Sequence, residues 1–173
     1  LAVAHAAQAH DHEHGSLAPH EHGVGTLNVA LDDTTLELDL DGPAMNLVGF
    51  EHAATTDADK ATVAAAKARL ENPLALFNLP PAAKCVVEAQ ELSSPLFDPA
   101  PEEGASNAKA EHHHSDIEAH YAFTCADAAS LKTLDLSRFF KTFPGTHSFK
   151  VQLIGPNGQQ AVNVSAKAPT LTF

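Results

Sequence analysis

Between Thr26 and Asp41 the sequence alternates apolar and polar residues with a period of two, a pattern that dictates extended chain. Leu27, Val29 and Leu31, then Leu36, Leu38 and Leu40, fall on one face, while Asn28, Glu37 and Asp39 fall on the other. Asp32 and Asp33 sit at the break. The segment therefore reads as a β-hairpin with one face against a core and one face wet.

The rest of the chain supplies more strands and the layer that must cover them. Ile117 to Cys125 alternates again, with Glu118, His120 and Thr124 opposite the apolar positions. A strand is expected from about Lys84 to Leu92. A second hairpin follows from HSFKVQLI, the turn Gly155-Pro156-Asn157-Gly158 and QQAVNVSA, with TLTF closing an edge.

Helix is expected from about Asp57 to Leu70, where alanine dominates and Thr56 or Asp57 can cap the start. A short second helix begins at Asn72-Pro73 and must stop at Pro80-Pro81; helical turns are expected around 127–131 and 136–143. Gly42 to His52 has no sustained period and reads as a loop anchored by Met45, Leu47 and Phe50.

These elements make an α+β domain on an antiparallel sheet of six or seven strands with a few short helices. It is expected to span residues 20–173, behind an arm at 1–19. A Pro-, Glu- and Ser-rich insertion at about 95–115 is expected to be mobile. At 44% hydrophobic, the chain can bury a real core. A formal charge of -12 repels phosphate backbones, so nucleic acid is excluded as a partner and cations are favoured. No apolar run approaches the roughly 18 residues of a membrane span, so no membrane insertion is expected.

Histidine is the outlier among the residue types: there are 12, beside one Met, one Tyr and no Trp. Most lie in two windows. HDHEHGSLAPHEHG carries His10, His12, His14, His20 and His22 among Asp11, Glu13 and Glu21, and EHHHSDIEAH carries His112, His113, His114 and His120 with Asp116 and Glu118. Neutral imidazole beside carboxylate, without thiolate or thioether, suits a divalent ion of borderline softness, Zn(II) first. The fixed spacings of a zinc finger or an H-E-x-x-H protease are absent, so the windows read as flexible collectors of metal.

An ordered site needs histidines held by the fold. His20 and His22 precede the first strand, His120 lies on a strand with Glu118 two residues earlier on the same face, and Glu51-His52 ends the GFEH loop. His147, far from both windows, reads as structural, and His5 belongs to the first residues.

Those first residues, LAVAHAAQA, hold Ala4-His5-Ala6 and Ala7-Gln8-Ala9, both of the form that precedes signal-peptide cleavage, and read as the remnant of a secretory leader. Cys85 and Cys125 are the only cysteines and form no C-x-x-C pair. A disulfide fits an exported protein; a two-thiolate zinc site and buried unpaired thiols are the alternatives.

EHGVGTLNVALDDTTLELDLDGPAMNLVGFEHA, then ENPLALFNLPPAAKCVVE, HYAFTC, FFKTFPG and VQLIGPNGQQ, resembles the bacterial zinc-regulated periplasmic protein family called ZrgA, over about residues 20–173. The resemblance implies a leader, a periplasmic location, zinc binding and a role beside an ABC-type zinc importer. It favours His22 and His52, which sit in its EHG and GFEH motifs.

The expected function is thus periplasmic capture of zinc by His-rich segments and an ordered His/carboxylate site, assisting uptake through the periplasmic component of an ABC importer. No enzyme is expected: a zinc hydrolase would need Glu21 or Glu51 as base, and no catalytic motif supports either. A pH-responsive interaction protein, or copper or nickel buffering, are the alternatives.

Overall fold

The computed structural model describes residues 21–98 and 115–173. The first hairpin forms as expected: β1 (Val24–Asp32) and β2 (Thr35–Pro43) pair antiparallel, from Thr26 opposite Asp41 to Asp32 opposite Thr35. Asp33, in the connection, takes a φ of 52°, a left-handed conformation that aspartate tolerates better than most side chains.

The free edge of β2 takes β4 (Asp116–Cys125), and β4 takes β3 (Cys85–Ser93), both antiparallel. On the other side β1 pairs in parallel with β6 (Ser148–Gly155), which forms the expected last hairpin with β7 (Gly158–Ser165). The sheet order is β3-β4-β2-β1-β6-β7. The α+β class holds, with one parallel pairing inside an otherwise antiparallel sheet.

Two further strands make eight among the described residues: β5 (Thr133–Asp135) and β8 (Thr170–Thr172) form a separate two-stranded sheet. TLTF therefore does not close an edge of the main sheet. Leu171 and Phe173 are drawn into the core instead, and Asn157 and Gln160 donate side-chain hydrogen bonds to the Phe173 and Thr172 carbonyls.

Among the described residues, four α-helices cover one face. Besides the short α1 (Ala44–Val48), they are α2 (Asp57–Leu70), α3 (Pro73–Leu76) and α4 (Ser137–Thr142). α2 starts where the sequence says it should: Thr56 accepts from the Asp59 amide, and Asp59 accepts from the Thr56 amide, a reciprocal cap. α1 corrects the expected loop. Five residues are too few to display a helical period, and Gly49 closes the helix with a φ of 85°. The residues α1 buries are Ala44, Asn46 and Val48, while Met45, Leu47 and Phe50 are only half-buried.

Between sheet and helices lies an aromatic core. Phe77 packs edge-on against Tyr121, and Phe139 touches Phe77, Phe143 and Phe149. All five are buried, each contributing about 1.5–3 kcal/mol of transfer free energy. The Tyr121 hydroxyl donates to the Leu70 carbonyl at 2.9 Å, satisfying a carbonyl that the end of α2 would otherwise leave bare.

Cys85 and Cys125 face each other across β3 and β4 and are joined by a disulfide; no free cysteine remains among the described residues. Linking residues 40 apart stabilises the fold by about 4 kcal/mol in the chain-entropy account. At the other end of the same strand pair, Ser94 Oγ donates to the Asp116 carbonyl at 2.7 Å and Leu96 is buried. Leu96 and Ser115, near the two ends of the insertion expected at about 95–115, are buried, while Pro95 and Asp98 are exposed and residues 99–114 lie outside the described residues. None of the helices among the described residues is long and apolar enough to cross a membrane.

Candidate metal centre

The face of the sheet away from the helices is wet, and its strand register gathers chemistry that the sequence scatters. One row across the sheet reads Ser93, Glu118, Asp41, Thr26, from β3 to β1. The adjacent row reads Glu91, His120, Asp39, Asn28. Residues in register on neighbouring strands point to the same side about 5 Å apart, so one imidazole and four carboxylates share a patch two rows deep and three strands wide. These rows line an open cavity of about 380 Å³.

Glu91 reaches this face because of an irregularity. Val86 pairs with Thr124 and Val87 with Phe123, but the next pair is Ala89 with Ala122, so Glu88 is an extra residue in the ladder. A bulge of one residue reverses which side chains face which side. Without it, Glu91 would share the face of Val87, toward the core, and Gln90 would stand beside His120.

His120 Nδ1 donates to Asp39 Oδ1 at 2.5 Å. Both residues are substantially exposed. Lys150 stands on the same face across Thr26 from Asp41, so the acidic half of the sheet is the β3-β4-β2 half. Glu118 and His120 are the candidates the sequence supplied here. Asp41 and Glu91 were missed, and Asp39 was seen only as a wet-face residue.

His22 is elsewhere. Its Nε2 donates to Glu51 Oε1 at 3.0 Å, joining the EHG and GFEH motifs through the glutamate of the second rather than through His52. Glu51 is fixed in turn, since Ser115 Oγ donates to its backbone carbonyl at 3.1 Å. His52 donates from Nδ1 to the Ala53 carbonyl and stacks on Phe50, with ring centroids 4.6 Å apart. His147 caps the start of β1 from the far end of the chain: its amide donates to the Gly23 carbonyl at 2.7 Å, and its ring lies where a Gly23 side chain would be. His10, His12, His14, His20, His112, His113 and His114, and the first residues expected to be a leader remnant, lie outside the described residues.

Among the described residues no three His, Cys, Asp or Glu side chains already converge as a metal cage. Binding on the sheet face therefore requires the exposed glutamates to turn, which their free rotamers allow. The donor set decides what can bind. Clustered carboxylates raise the local concentration of cations, imidazole selects borderline divalent ions among them, and no thiolate competes because both cysteines are oxidised.

Comparison with curated proteins returns no match. The profile of a family described as "ZrgA family zinc uptake protein" matches residues 19–173.

Proposed function

The chain belongs to the ZrgA family of zinc uptake proteins, and from that premise we propose that it is a non-catalytic periplasmic protein that captures Zn(II) and passes it to an ABC-type importer. Capture is by the His-rich segments and by an ordered His/carboxylate site on the sheet. The observation that carries this reading is His120 held by Asp39 in a cavity lined also by Asp41, Glu91 and Glu118.

Two other features support it. In sequence, His112, His113 and His114 precede by a few residues the Glu118 and His120 that line the cavity, so both kinds of ligand come from one short stretch of chain. Membership of a zinc uptake family and the Cys85–Cys125 disulfide both suggest a location outside the cytoplasm, which keeps thiols reduced.

Zinc needs deprotonated imidazole, so affinity should fall steeply from pH 7 to pH 5. Titration calorimetry of the intact protein at both values tests this. A variant with His10, His12, His14, His112, His113 and His114 changed to Asn should bind fewer ions yet retain the sheet-face ion. An intact protein that takes up no zinc at pH 7 overturns the reading.

A further inference from the structure

We propose that Asp39 is a positioning residue that accepts a hydrogen bond from the Nδ1–H of His120, so that zinc is bound by His120 Nε2 together with the carboxylates of Glu91 and Glu118. This rests on the zinc-binding reading above and assigns the ligands within it.

A neutral imidazole has one N–H and one lone pair. Contact between Nδ1 and a carboxylate oxygen at 2.5 Å places the proton on Nδ1 and leaves the Nε2 lone pair for a metal. Asp39 has the shorter side chain and is already committed to the ring. Glu91 stands directly across from His120 on β3, and Glu118 stands two residues before it on β4, on the same face. Both glutamates are exposed and long enough to swing toward a common ion beside the ring.

The resulting set is one nitrogen and two carboxylates, which leaves at least one position of a tetrahedral zinc ion open to water. A closed four-ligand cage holds zinc as a structural element; an open, exposed site lets an incoming ligand attach before the others leave. The chemistry fits an ion that must be handed on. The bulge at Glu88 is then part of the site, because it alone brings the Glu91 carboxylate, instead of the Gln90 amide, beside the ring.

Long-range proton–nitrogen correlation spectra of the intact, nitrogen-labelled protein, with His120 assigned by His120→Ala, report the tautomer directly. The metal-free spectrum should show His120 protonated on Nδ1, and zinc should move the Nε2 resonance. Zinc affinity read at His120 should fall by about 10–100-fold in Asp39→Ala. Asp39→Asn, whose amide oxygen can still accept the Nδ1–H hydrogen bond, should lose less, while Glu91→Gln and Glu118→Gln should each weaken binding. Zinc on Nδ1, or unchanged affinity at His120 in Asp39→Ala, overturns this assignment and leaves zinc binding standing. No zinc response at His120 or at any other histidine overturns both.

Discussion

Asn46 accepts the amide proton of Gly23 on Oδ1 at 2.7 Å, while its Nδ2 donates to the Val24 carbonyl at 3.1 Å. One buried amide on α1 thereby fixes the entry of β1 and, next to it, His22. The turn after α4 closes on the same point: Thr146 Oγ1 donates to the Asn46 carbonyl, and a methyl group on Gly145 would meet that carbonyl oxygen at 2.6 Å. Asn46→Ala leaves the Gly23 amide without its acceptor and should cost about 2 kcal/mol, or roughly 4–8 °C in thermal midpoint. Thermal unfolding followed by circular dichroism checks this. Gly145→Ala should destabilise as well, because the obstacle is backbone that cannot turn aside.

Tyr121 is the single tyrosine, so its ionisation can be followed by absorbance without interference. Burial, and after it the charge of Glu71, pushes its hydroxyl well above the usual phenol range. The folded protein therefore keeps a proton that the unfolded chain begins to lose near about pH 10. Stability from this source is complete below that pH and lost as pH rises above it. Tyr121→Phe should remove this alkaline contribution, and should cost about 1–2 kcal/mol at neutral pH by leaving the Leu70 carbonyl unpaired. Urea unfolding at neutral and alkaline pH separates the two effects.

Asp135 behaves oppositely. The Ser137 amide, donating to its carboxylate at 2.9 Å, holds its pKa below the ordinary value against a smaller opposing effect of burial. The Ser137 hydroxyl, Asn78 and Lys141 act in the same direction as the amide. A depressed carboxylate stabilises the fold above the unfolded pKa of about 3.9 and ceases to do so as pH falls through its folded value. Asp135→Ala should be less stable than the parent at pH 7, and the gap should narrow below about pH 4. Denaturant midpoints at the two pH values measure it.

The disulfide ties down an edge strand that has a partner on one side only. Replacing Cys85 and Cys125 together by Ser should cost about 4 kcal/mol. Amide exchange should accelerate most in β3, with β1 and β2 least affected, because they are paired on both sides. Mass-spectrometric hydrogen exchange of both proteins gives the comparison.

Much of this architecture is legible in the sequence where a residue's role depends on near neighbours. The alternation of β1, β2 and β4, the Thr56 cap and the proline stops all act within a few residues. Pairing between distant segments leaves no such trace. Nothing in Val24–Asp32 announces a parallel partner at Ser148–Gly155, and nothing in TLTF distinguishes an edge of one sheet from an edge of another. The acidic patch around His120 is half visible for the same reason. His120 and Glu118 are neighbours along one strand, whereas Asp39 and Asp41 join them only once the strand order is known. Glu91 needs that order and a bulge besides. The place of His22 just before the first strand is legible in the sequence, but its partner Glu51 is met through a loop that no period describes.

β1 sits between β2 and β6, one near it in the chain and the other close to the end. As the polypeptide emerges from a ribosome, the first hairpin can zip at once, yet β1 shows a bare edge until β6 and β7 follow. Completion of the sheet thus waits on residues more than a hundred positions further along, and such long-range closure makes for slow folding.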